Sequence, residues 1–314
     1  MIEILLALWP VAALIAIGNI LRRTGFLVEE FWEDAGRLVF FVLFPALLFD
    51  KTARADLGSI AVGPMASVVI IAIVVVAFLC VATRSFIRIN GRDFSALFQG
   101  AIQQNTYIGF AAATGLLGAA GDVASVVAAA VMVPLVNALS VVVLARTATG
   151  KKGKSSGWLR VPGAVLGHPL IIALAIGWVF NYAGLGAVTP IGQVTEVLGQ
   201  GALPVALLCV GAGLRLSVLR EAEAITFVSV ALKMVVMPAL AFIACLVVRL
   251  DGAAAIVAIM FAALPTSATA YMLSRRMGGH HDLVAVIMSV ETLVAAVTIP
   301  AAVLVANIVF GPLF

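Results

Sequence analysis

Ten apolar runs divide the chain, separated by short polar stretches: 4–21, 37–50, 60–82, 95–118, 122–145, 167–184, 192–214, 224–248, 253–274 and 282–310. A helix that crosses a bilayer needs roughly 20 mostly apolar residues. The pattern therefore predicts an all-α membrane protein of ten transmembrane helices. The second run is short and the tenth long, so the fit to the membrane must vary by tilt. Composition removes the soluble alternative. Of 314 residues, 63% are hydrophobic and only 11% charged, whereas soluble domains run at about a quarter charged. Ten crossings consume nearly the whole chain and leave no room for a sizeable soluble domain. The first run, with Glu3 and no Lys or Arg ahead of it, has no cleavage pattern before Arg22 and Arg23 and reads as a retained helix.

The charges alternate with the runs. With the N-terminus outside, the inward loops hold 15 basic residues, among them Arg22, Arg23, Arg37, Arg84, Arg88, Arg92, Arg146 and Arg275. The outward loops hold only Lys51, Arg54 and Arg249. Basic residues collect on the cytoplasmic side, so the pattern predicts a multi-pass inner (plasma) membrane protein with both termini periplasmic. It also explains the net charge of +4 without nucleic acid. The basic stretch within 146–166 is expected to be a cytoplasmic linker between residues 1–145 and 167–314, with a regulatory or lipid-binding role as the alternative. Cys80, Cys209 and Cys245 lie apart in apolar runs and are expected to be buried free thiols, neither bridged nor bound to metal.

Shifting the sequence by 159 superposes its halves. Pro10 falls on Pro169, Gly18 on Gly177, Gly25 on Gly184, Pro45 on Pro204 and Thr106 on Pro265. Each half then holds five helices. An odd number forces the second half into the membrane from the opposite side, which makes an inverted repeat, a plan that suits alternating access.

Polar residues interrupt two equivalent runs. The fourth carries Gln103-Gln104-Asn105-Thr106-Tyr107-Ile108-Gly109, and the ninth carries Leu264-Pro265-Thr266-Ser267. Unpaired backbone groups in hydrocarbon are costly unless they line a cavity, and Pro265 lacks an N–H and frees carbonyls one turn earlier. Matched interruptions in two halves point to a binding site. Half-helix N-termini there would favour a carboxylate, with Asn105, Thr106, Thr266 and Ser267 as uncharged donors. The alternative is a pair of kinked helices whose polar side chains only hold the bundle together. Lys233 and Glu291 each lie about nine residues, roughly 13 Å, into their runs. Ionisable residues at that depth are functional candidates, either as an ion pair or in a proton or substrate role. Asn137, near Pro134 in the fifth run, is a further candidate.

The QNTYIGF stretch at Gln104–Phe110, Leu203-Pro204 and the ALPTSATAYMLSRRMGG stretch at Ala263–Gly279 resemble the auxin efflux carrier family, whose members include bacterial malonate and malate carriers and the plant PIN proteins. The resemblance covers essentially the whole chain. It implies the fold of the bile acid:sodium symporters, with helices 1, 2, 6 and 7 as a scaffold that often dimerises. Helices 3–5 and 8–10 would be a mobile core, with broken helices 4 and 9 crossing at its centre. It further implies elevator-type transport and a substrate site of Gln104, Asn105, Thr106, Tyr107, Pro265, Thr266, Ser267, Asn137 and Phe44, with Phe44 and Pro45 at the scaffold–core boundary. Ala111 stands where relatives often carry a proline after the Gly-Phe, which leaves the fourth-run break to Gly109 and the polar stretch. The expected activity is secondary transport of a small organic anion, a mono- or dicarboxylate, without a bound cofactor. The alternative is sodium- or proton-coupled symport of an organic acid, with Glu291 as the coupling group. No HExxH and no intramembrane Ser/His or Asp/Asp set appears, which argues against an enzyme.

Overall fold

In the computed structural model, residues 2–87, 89–147, 167–185, 190–214 and 221–311 are described, and among them the regular structure is entirely helical. The linker expected at 146–166 lies almost wholly outside the described residues. So do several of the basic residues counted above, Arg88, Arg160, Arg215 and Arg220 among them.

Helix α1 is Ile2–Arg23. Helix α2 spans 29–54 and combines Glu29–Leu38, a π-turn at Val39–Leu43 and Phe44–Arg54. It starts earlier than the apolar run suggested, because EEFWEDAGRL forms an amphipathic turn that buries Trp32 and Ala35. Arg37, expected in a loop, is therefore helical and pairs with Asp34. The wide π-turn lies just before Pro45 and Pro238 alike. A proline ring clashes with the carbonyl four residues back, and a wider turn relieves the clash. Helix α3 is Val62–Ile87 and α4 is Gly91–Ile102. The backbone leaves the helix at 103–105 and restarts at Thr106 as α5, 106–117. Gly118, with φ 55° and ψ −131°, turns the chain sharply into α6, 119–147. That conformation is open to glycine and closed to most other residues.

In the second half, α7 is Pro169–Tyr182 and α8 is Pro190–Gly213. Helix α9, Ala224–Val248, contains a π-turn at Leu232–Val236. Helix α10 is Gly252–Ala262, α11 is Ala268–Met277 and α12 is His281–Phe310. Six helical stretches of the described residues are long and apolar enough to cross a membrane, and the chain is an all-α membrane protein.

The helices pack in two groups. Helix α1 lies along α8, and α2 lies along α7 and α8. These contacts are backbone-close. A side chain at Gly18 would collide with the Leu208 carbonyl, and one at Gly177 would sit 3.0 Å from the Phe49 carbonyl oxygen. Helix ends are capped in matching fashion. Arg22 donates to the Ala212 carbonyl at 2.6 Å, and Asn181 donates to the carbonyls of Thr52, Ala53 and Ala55 at 2.8–3.2 Å. The other group is α3–α6 with α9–α12, in which α10 packs on the α5–α6 stretch and on α12, and α4 packs on α9 and α12. Most of the buried polar side chains lie in this second group. The three cysteines are free, with Cys80 and Cys245 buried.

Candidate functional site

The two helix interruptions meet. At the first, α4 ends at Ile102 because Gln103 turns to extended backbone, φ −79° and ψ 144°. At the second, α10 ends at Ala262, residues 263–267 are non-helical, and Ser267 is extended where α11 begins. The Asn105 N–H donates to the Pro265 carbonyl at 2.7 Å, so each break satisfies part of the other. The Thr266 hydroxyl donates to the Gly100 carbonyl at 2.7 Å, and the Ser267 hydroxyl donates to Gln103 Oε1 at 3.2 Å. Gln103 Nε2 in turn donates to Ser140 Oγ on α6 at 3.2 Å. In hydrocarbon an unpaired amide costs several kcal/mol. The breaks persist because they are bound to one another.

The two restarting helices are capped differently. Asn105 Oδ1 accepts weakly from the Ile108 N–H at 3.4 Å and begins α5. Ahead of α11 the Thr266 N–H donates to the carboxylate of Glu291, which reaches across from α12 at 2.9 Å. Ser229 Oγ stands 3.3 Å from the other Glu291 oxygen. Part of the positive end of α11 is thus already held by the chain's own carboxylate.

Lys233 and Glu291 are both fully buried. They lie close enough to influence one another, yet no direct ion pair forms between them among the described residues. Lys233 Nζ instead meets Met237 Sδ at 3.5 Å, and Gln104 Nε2 meets the same sulfur at 3.5 Å. Gln104 Oε1 is buried without a partner among the described residues.

The remaining predicted residues frame this centre. Gln104, Asn105, Thr106, Thr266 and Ser267 are buried. Tyr107 packs edge-on against Phe44 of α2, with ring centroids 4.4 Å apart, and Phe44 also contacts Phe110. These rings join the group containing α2 to the group containing α5. Asn137 donates to the Val133 carbonyl of its own helix at 2.7 Å, and Ser140, one turn on, is the α6 residue that touches Gln103. Gly109 lies inside α5, so the break precedes it. A Cβ there would stand 2.7 Å from Leu264 and 2.8 Å from Phe261, and glycine thus permits the close approach of the two breaks. Ser140, Ser229, Gly100 and Met237 were not singled out from sequence. Single serines, glycines and methionines in apolar runs are ordinary there, and only the crossing gives them meaning.

A cavity of about 450 Å³ lies between α1, α2, α5 and α8. Leu47 and Lys51 of α2 and Ala111 and Thr114 of α5 line it. Phe44 and Tyr107 lie one turn further toward the break. At the other end, Lys51 pairs with Asp122 at 2.5 Å, Asp122 also accepts from Thr114, and Arg54 pairs with Asp50 and Glu196.

Known proteins resemble the chain in the same sense. The family described as membrane transport protein matches residues 165–303. An uncharacterized transporter of Methanothermobacter thermautotrophicus is 23% identical over 299 residues, covering 92% of this chain and 94% of that protein. Both comparisons indicate a transport protein and not an enzyme.

Proposed function

We propose that the chain, which matches a membrane transport protein family over residues 165–303 and an uncharacterized transporter along its length, is an auxin efflux carrier family member and a secondary transporter for a small organic carboxylate, which binds where the two helix breaks cross. The Asn105–Pro265 backbone hydrogen bond carries this reading. It ties two interrupted helices from the two halves of the sequence at one point, and irregular backbone at membrane depth is tolerated only where it is buried in protein or lines a cavity, the setting in which transporters place their sites. Among the described residues, the N-terminus of α5, at Thr106 and Tyr107, is capped by a weak Asn105 contact alone and offers N–H groups to an anion.

The α4–α5 and α10–α11 pairs each count as one interrupted crossing, so ten crossings result, five in each inverted half. Matching contacts support the repeat. The offset of 159 carries Gly18 to Gly177 and Phe49 to Leu208, and Gly18 abuts Leu208 as Gly177 abuts Phe49. The same offset carries Arg22 to Asn181 and Ala53 to Ala212, and each of these side chains caps the other half's carbonyl. Helices α1, α2, α7 and α8 are the scaffold, and α3–α6 with α9–α12 the moving core. With the termini periplasmic, the cavity beside Lys51 opens outward, and the Phe44–Tyr107 pair seals the crossing from it. Elevator movement of the core would part those rings. Exposed apolar residues on α1 and α7, such as Trp9 and Val179, face lipid or a second copy.

Uptake into proteoliposomes tests the reading. Radiolabelled malonate, malate or indole-acetate should enter saturably and show counterflow when the vesicles are preloaded. Linear flux without counterflow would point to a channel instead.

A further inference from the structure

Among the described residues, Lys233 has no acceptor adequate to its charge. An ammonium carries three donors and is rarely buried without a carboxylate or carbonyl in contact. Here it is wholly buried and meets the Met237 thioether, a weak acceptor, at 3.5 Å. It sits inside the π-turn Leu232–Val236, an irregularity often found at functional sites. Around it lies oxygen chemistry. Glu291 carries the carboxylate, Ser229 its hydroxyl, and Gln104 a buried amide oxygen with no partner. The Thr266 N–H joins Glu291 to the broken helix at the crossing. A carboxylate, a hydroxyl and amide oxygens at an interrupted helix are the ligand set a hard monovalent cation seeks.

We propose that Lys233 is a tethered cation, whose ammonium takes the place a sodium ion would otherwise hold beside Glu291 and the crossed breaks. The charge of Glu291 is then balanced in every state of the cycle by a group that travels with the core. The protein needs no sodium to bind its cargo, and the sodium-coupled alternative is set aside. This deepens the transport reading and rests on it. Its test, however, reads sodium binding and needs neither a known substrate nor transport, so the two can fail separately.

The experiment compares wild type, Lys233→Ala and Lys233→Met in detergent. Melting is followed in sodium chloride and in choline chloride of equal ionic strength, alongside binding of radioactive sodium. Wild type should melt at the same temperature in both salts and bind sodium at background. Lys233→Ala opens space beside the carboxylate and should bind sodium saturably, with a melting temperature several degrees higher in sodium than in choline. Adding Glu291→Gln to Lys233→Ala should abolish that response. Lys233→Met guards against a fold lost to the cavity in the alanine variant. Saturable sodium binding by wild type overturns the proposal. So does the absence of any sodium response in both variants, including a loss of fold that sodium does not rescue.

Discussion

The two helix interruptions occupy equivalent places in the sequence but are built from different chemistry. The first, at 103–105, contains no proline and no charge, and its restarting helix is capped by its own Asn105. The second, at 263–267, contains Pro265 and receives the carboxylate of Glu291 from a neighbouring helix, with Lys233 near by. A repeat can therefore keep its geometry while its halves divide the work. The second break is held by a buried carboxylate, whereas the first, in the proposed reading, leaves a helix N-terminus open to a ligand.

The largest expected effect breaks the second side of this comparison. Glu291→Ala removes the only carboxylate near Lys233 among the described residues and leaves a buried charge without a counter-ion. Stability should fall by about 3–5 kcal/mol, read from unfolding in detergent. A loss below about 1 kcal/mol would mean that water or another group balances Lys233. A pair of smaller substitutions sharpens the contrast. Thr266→Val removes the hydroxyl bond to the Gly100 carbonyl, and Asn105→Ala removes the cap of α5. Each should cost about 1 kcal/mol. Only Asn105→Ala should also bring carboxylate uptake to background, because the open N-terminus lies on its side. Equal loss of uptake in both variants would erase the proposed division.

Much of this was legible in the sequence. The run spacing marked the helices, and the polar stretch at Gln103–Thr106 and Pro265 marked both breaks, because matched polar interruptions in two apolar runs point to irregular backbone. Three things were not legible. The start of α2 was hidden since EEFWEDAGRL is amphipathic and not apolar. The first break was expected to rest on Gly109 and the polar stretch together; it lies in the polar stretch at 103–105, whereas Gly109 serves close packing against Leu264 and Phe261 within α5. A side chain's absence can permit a bend or an approach, and sequence does not say which. The partner of Glu291 was also hidden. A spacing argument placed it level with Lys233, but its contact is the Thr266 N–H, a donor that exists only because the helix is broken.

The central claim is that the crossed breaks travel as one body past the scaffold while carrying a carboxylate. Lys51 of α2 and Asp122 of α6 face each other across that boundary. With Cys80, Cys209 and Cys245 replaced by alanine, cysteines at positions 51 and 122 can be joined by a short thiol cross-linker and malonate counterflow measured before and after. The account predicts that counterflow stops on cross-linking and persists in each single-cysteine control. Counterflow at the uncross-linked rate in the joined protein would contradict it.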